Sequence, residues 1–217
     1  MNGKNKRMTN YQLIQHNETC ICVFENKYSS EELLNFSDNI ALYKDELELF
    51  SGEKRRKEYL GLRFALKKCL DNQEYKVIYS KEGKPLLENG KFHVSFSHAG
   101  IWNAAVSNPG KKVGIDIEIP TEKLRRIYEK FLSNEEQNNF PQTCDLETLC
   151  LLWSSKEVLF KIIGNKAVDF AAQLRIFPFE KKESGKINAL HLVSGKNYTL
   201  FYKITPDFVI VFGTETE

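Results

Sequence analysis

The chain has 217 residues, 41% of them hydrophobic and 12% aromatic, which is enough apolar material for one or two ordinary cores and excludes a disordered chain. Its 31 Lys plus Arg against 29 Asp plus Glu leave a formal charge of +2, so no excess of positive charge marks it for nucleic acid. Five cysteines, at 20, 22, 69, 144 and 150, form no CxxC pair and are odd in number; this fits reduced thiols in a cytosolic protein and gives no support to a disulfide framework or a structural zinc site.

The polar start MNGKNKRMTN has no apolar segment behind it, and no stretch reaches the length needed to span a bilayer, so the expectation is a soluble, cytoplasmic protein with no membrane partner. ETCICVFE (18–25) then alternates like a strand, and SSEELLNF opens with a helix-capping pattern. EKRRKEYLGLRFALKKCL (53–70) carries a helical apolar stripe at Tyr59, Leu62, Leu66 and Leu70. YKVIYS and KFHVSFSH read as strands flanking the turn-rich KEGKPLLENG, and NAAVS and KKVGIDIE as two more, joined through Pro109 and Gly110.

The second half repeats the plan. FLSNEEQNNF (131–140) resembles LFSGEKRRKEY (49–59), and a long helix follows over 146–164, ended by Gly164. NALHLVS, NYTLFYKI and DFVIVFGT close the chain as strands. The predicted fold class is α+β: two similar halves of about a hundred residues, 1–107 and 108–217, each a small antiparallel sheet packed with helices, with no low-complexity linker between them.

Chemistry concentrates in the second half. In VGIDIE (113–118), Val113, Ile115 and Ile117 alternate with Gly114, Asp116 and Glu118, so a period of two sends two carboxylates to one face of a sheet. They repel each other unless water, a basic partner or a metal ion intervenes. The helix 146–163 has almost no polar face, yet Trp153, Glu157 and Lys161 fall at i, i+4 and i+8 on one stripe. Glu157 and Lys161 are either an ordinary surface pair or, with Asp116 and Glu118, part of a site for Mg²⁺, a hard ion that bridges carboxylates to phosphates. Periodicity alone does not bring residue 157 to residue 116.

VGIDIE followed by WSSKEVLFK (153–161) resembles the paired signature of the phosphopantetheinyl transferase superfamily, (V/I)G(I/V)D(I/V)E and WxxKExxxK. GKP (83–85), FSHAGIW (96–102) and RRKEYLGLRFALKK (55–68) are similar in order and spacing to the Sfp-type branch, so the resemblance runs from about residue 50 to 165. It implies a pseudo-dimer of two α+β halves with coenzyme A in the cleft between them, working as a monomer. The implied reaction moves 4'-phosphopantetheine from coenzyme A to a serine of an acyl or peptidyl carrier protein and releases adenosine 3',5'-bisphosphate. Asp116, Glu118 and Glu157 would hold Mg²⁺, with Mn²⁺ as the alternative ion. Asp116, Glu157 and Lys161 form the implied catalytic set, with Glu157 as general base and Lys161 on the diphosphate.

The same resemblance assigns coenzyme A contacts to Ser97, His98 and Lys161, and to Lys84, Arg56 and Arg63 at the nucleotide end. Trp153 reads as core packing. Lys123, Arg125, Arg126 and Lys130 are either plain helix-surface charges or a basic rim for an acidic carrier. Two other classes use the same residues: an Mg²⁺-dependent hydrolase of coenzyme A or a related phosphate ester, and a non-catalytic module that binds coenzyme A or a carrier. No P-loop, GxGxxG or HExxH is present, and nucleic acid is not an expected partner. The fatty-acid, polyketide or nonribosomal-peptide origin of the carrier is not encoded in these motifs.

Overall fold

The computed structural model describes residues 9–164 and 167–216; most of the polar start, residues 1–8, lies outside them. The first run of elements is β1 (Tyr11–His16), β2 (Thr19–Glu25), α1 (Ser30–Leu34), a 3₁₀ turn (Ile40–Leu42), α2 (Lys44–Glu48), α3 (Glu53–Cys69), β3 (Val77–Tyr79), β4 (Pro85–Leu87), β5 (His93–Ala99) and β6 (Trp102–Asn108). The second is β7 (Val113–Glu118), α4 (Lys123–Phe131), α5 (Asn134–Asn139), α6 (Leu146–Ile163), α7 (Phe170–Gln173), β8 (Leu174–Ile176), β9 (Ser184–His191), β10 (Lys196–Ile204) and β11 (Val209–Thr214).

Two antiparallel sheets result, in the orders β1-β2-β6-β5-β4-β3 and β7-β11-β10-β9-β8. With β1 set aside the orders coincide: the opening strand pairs with the last, and the strands between return as a meander. The weak repeat in sequence is therefore a repeat of topology, and the α+β class is as expected. Chain passage from one sheet to the other falls between Asn108 and Val113.

Each long helix covers one face of its own sheet. Helix α3 packs Leu60, Phe64 and Leu66 with Cys22, Phe24 and Val94, while α6 packs Leu149, Leu152 and Leu159 with Ile187, Leu200 and Val211. The sheets' other faces meet: Ile21, Val23, Ala104 and Val106 lie against Val113, Ile115, Ile117 and Ile210. Each such aliphatic side chain contributes about 1.5–3 kcal/mol by leaving water, and a one-residue slip of β7 would turn Val113, Ile115 and Ile117 out of this interface and put its acidic set in their place.

Local chemistry sets the ends of α6. The Asp145 side chain accepts from Thr148 N at 3.0 Å, and Gly164 takes the left-handed conformation (φ 71°) while its N–H bonds Phe160 O at 2.9 Å. Not every segment follows its sequence signal. KEGKPLLENG is not turn throughout: Pro85–Leu87 form β4, with proline at the first strand position, and β4 joins β3 to β5. FLSNEEQ opens the short α5 through a Ser133–Glu136 capping box, whereas its counterpart at 51–53 runs straight into the long α3. Among the described residues no helix is long and apolar enough to cross a membrane.

Candidate active site

The face of β7 turned away from the sheet interface carries Gly114, Asp116 and Glu118, and α6 lies directly on it. A Cβ on Gly114 would stand 2.4 Å from Val158 O and 3.1 Å from Ile162 Cγ1, so only glycine admits the helix backbone this close. That approach brings α6 side chains to the strand's carboxylates. Lys161 Nζ donates to Asp116 Oδ1 and to Ile115 O, both at 2.8 Å. Ser97 Oγ, reaching from β5 of the other sheet, donates to the same Oδ1 at 2.9 Å. Asp116 is 4% exposed, and its Oδ2 is buried without a hydrogen-bond partner.

Electrostatics bind the remaining acids into the same centre. Burial pushes the Glu118 carboxyl up to about 7, aided by the negative charges of Asp116 and Glu157 and opposed by a hydrogen bond from Trp153 and the charge of Lys161. Burial likewise raises Glu157, with Asp116 reinforcing and Lys161 opposing. At the edge, His98 Nε2 lies 3.4 Å from Glu58 Oε2. Burial lowers the imidazole; Glu58 resists this, while Arg55, Lys161 and Lys54 add to it.

Three carboxylates thus share one lysine. Among the described residues no three His, Cys, Asp or Glu side chains converge as a ready metal cage. The donor set nevertheless fits a hard divalent cation that keeps several waters: Asp116 Oδ2 is an orphaned buried oxygen, costing about 1–3 kcal/mol as it stands, and the carboxylates of Glu118 and Glu157 are close enough to feel its charge.

The other singled-out residues are spread around this centre. Lys84 packs against the end of α6: its Cδ and Nζ lie 3.6 and 3.8 Å from where a Cβ of Gly164 would be. Burial lowers it, with Lys112 adding to the effect. Arg56 is exposed on the first turns of α3 and donates to Phe50 O at 2.9 Å. Arg63 lies deeper: its side chain is 3% exposed, 4.2 Å from the Tyr59 ring centroid, and donates to Tyr79 OH at 3.1 Å. Trp153 packs edge-on against Phe131, with ring centroids 5.3 Å apart. Arg125 is tied to Glu122 and to the carbonyls of Gln142 and Cys144, while Lys123, Arg126 and Lys130 are exposed.

Sequence reasoning passed over Lys156, the residue before Glu157. It is wholly buried and donates to Glu136 Oε2, Phe170 O and Leu174 O, each at 2.8 Å. Its signal was present in a cation on a helix with no polar face, whose partner had to come from another element. Glu136, also wholly buried, ties the start of α5 to β8 by accepting from Ile176 N at 2.8 Å. In sequence Gly114 is only one step in an alternation, with no sign of the helix packed on it.

Paired acids on a strand, and a third acid with a lysine on the helix pressed against it, thus meet at the seam of two α+β halves of like topology. Residues 112–210 match the family model of the 4'-phosphopantetheinyl transferase superfamily. That stretch, which is similar to the superfamily, holds Asp116, Glu118, Glu157 and Lys161 and runs through β8, β9 and β10 of the second sheet to the start of β11. A search of curated proteins gave no match.

Proposed function

We propose that this protein transfers the 4'-phosphopantetheine of coenzyme A to a serine of an apo acyl or peptidyl carrier protein, as an Sfp-type member of its superfamily. The observation that carries the reading is Asp116: buried, held by Ser97 from one sheet and Lys161 from α6, with one oxygen left open beside two carboxylates of raised proton affinity. A solvated surface pair would show none of these features.

The serine oxygen forms a bond to the phosphorus that carries pantetheine, the bond to the second phosphate breaks, and adenosine 3',5'-bisphosphate leaves. Glu157 accepts the serine proton; its raised affinity makes it a better base than an ordinary carboxylate. Lys161, held by Asp116 and the Ile115 carbonyl, offsets charge on the diphosphate without reorganising. Asp116 and Glu118, with Glu157, would hold Mg²⁺ or Mn²⁺. When bound, the ion supplies positive charge beside the diphosphate. Ser97, His98 and Lys84 contact the phosphates, and Arg56 serves the nucleotide end. Arg63, packed inside the first half, acts on that pocket through Tyr79.

An acidic carrier is drawn to the exposed Lys123, Arg126 and Lys130 of α4, while Arg125 braces the loop after α5. Both halves of the cleft come from one chain, so a monomer suffices, and the work belongs in the cytoplasm, where coenzyme A and carriers meet. The test is to incubate the protein with coenzyme A, Mg²⁺ and an apo carrier and to follow carrier mass. The expected result is a gain of one phosphopantetheine that Asp116→Ala and Glu157→Ala abolish. Coenzyme A breakdown without a carrier, or a gain unaffected by either substitution, would overturn the proposal.

A further inference from the structure

Three thiols meet where the last turn of α3 crosses β2. Cys20 and Cys22 stand two apart on β2, on the face turned to α3, and Cys69 ends that helix. The placement is fixed by hydrogen bonds to β6: Ser107 Oγ donates to Cys69 O at 3.4 Å, and Cys69 Sγ donates to Ala105 O at 3.5 Å. Ser107 and Ala105 are the directly opposed partners of Cys20 and Cys22 in the β2–β6 ladder, a relation that holds side chains about 4.5–5.5 Å apart. Cys69 therefore sits beside both thiols of β2.

The three are unequal. Cys20 is partly exposed, whereas Cys69 is 8% and Cys22 0% exposed. A hydrogen bond with the Cys69 thiol draws Cys20 below its ordinary value, while burial raises Cys69 and pushes Cys22 up to about 12. The reachable thiol is thus also the one that ionises most readily, with a second thiol directly behind it.

We infer that Cys20 and Cys69 form a peroxide-responsive dithiol whose reversible disulfide ties the end of α3 to β2. The Cys20 thiolate attacks a hydroperoxide: an S–O bond forms, the O–O bond breaks, and hydroxide leaves, giving a sulfenic acid. The Cys69 sulfur then attacks that of Cys20; the S–S bond forms, the S–O bond breaks, and the Cys69 proton leaves with the second hydroxide as water. Two thiols lose two electrons and two protons, and hydrogen peroxide becomes two waters. A dithiol reductant restores the pair. The inference is independent of the transferase reading.

The test treats the full chain with hydrogen peroxide, quenches with an alkylating agent, and combines intact mass with peptide mapping. The expected result is two fewer alkyl groups than the untreated chain takes up, a loss of about 2 Da once the alkyl groups are subtracted, a peptide pair bridging Cys20 to Cys69, and recovery in dithiothreitol. Cys20→Ser abolishes the loss, Cys150→Ser retains it, and Cys69→Ala leaves Cys20 gaining oxygen instead. No mass loss, a bridge to Cys22 or Cys144, a covalent dimer, or wild-type Cys20 advancing to sulfinic acid would overturn the inference. The wild-type map decides the matter even if a cysteine variant fails to fold.

Discussion

Replacing Gly114 with alanine tests whether backbone proximity assembles the centre. The new Cβ would sit 2.4 Å from the Val158 carbonyl oxygen, and ordinary contact begins near 3.4 Å, so α6 must retreat by about 1 Å or β7 must bend away. Because the obstacle is a helix carbonyl, no rotamer change relieves it. Overpacking of this kind costs about 1–3 kcal/mol, which lowers the melting temperature by roughly 2–12 °C in a chain of this size. The same retreat stretches the 2.8 Å Lys161–Asp116 contact past hydrogen-bond length, and a misplacement of about 1 Å costs on the order of 100-fold in rate. Carrier phosphopantetheinylation and a thermal melt should be run beside Gly110→Ala, where a Cβ meets nothing within 4 Å. Wild-type melting together with a rate within about twofold of wild type would refute the argument that this glycine sets the spacing of helix and strand.

Other changes probe other parts of the structure. Glu136→Gln leaves Lys156 as an uncompensated buried cation, so stability should fall by about 3–5 kcal/mol in urea denaturation; a shift as small as a surface substitution's would mean the pair is dispensable. Glu118, raised to about 7 from 4.5, favours the folded state while protonated, and that contribution is lost as pH rises through about 7. In a chelating buffer the melting temperature of Glu118→Gln should therefore gain on the wild type between about pH 5 and 8; a constant gap would contradict the assigned environment. Mg²⁺ at about a hundred times its dissociation constant should add roughly 2.7 kcal/mol, read as a rise in melting temperature that is larger at about pH 8 than at 5.5 and absent in Asp116→Ala. An equal rise in Asp116→Ala would place the ion elsewhere.

The long elements were legible because each carried its own signal: the apolar stripe of α3, the glycine-terminated α6, and the alternation of β2 and β7. The acidic face of VGIDIE was legible for the same reason. What the sequence could not supply was distance. The approach of Glu157 and Lys161 to Asp116 rests on a glycine whose missing Cβ has no periodic signature, and Ser97 joins them only because two sheets stack. Short strands such as β4 and β8 span three residues each, too few for an alternation to stand out. Lys156 escaped notice because its partner Glu136 lies twenty residues earlier, in a capping motif that looks complete by itself.

The coincident strand orders carry a consequence for symmetry. Strand β2 holds in the first half the position that β7 holds in the second, with one face in the inter-sheet core and the other under a long helix. Under α3 that face presents Cys22 and Phe24, whereas under α6 it presents Asp116 and Glu118. Two identical subunits would have to display the same residues at both places. A single chain that carries the fold twice is free of that constraint: under its long helix one copy can keep an apolar face while the other gathers acids, and the Ser97 hydroxyl of the first reaches Asp116 of the second.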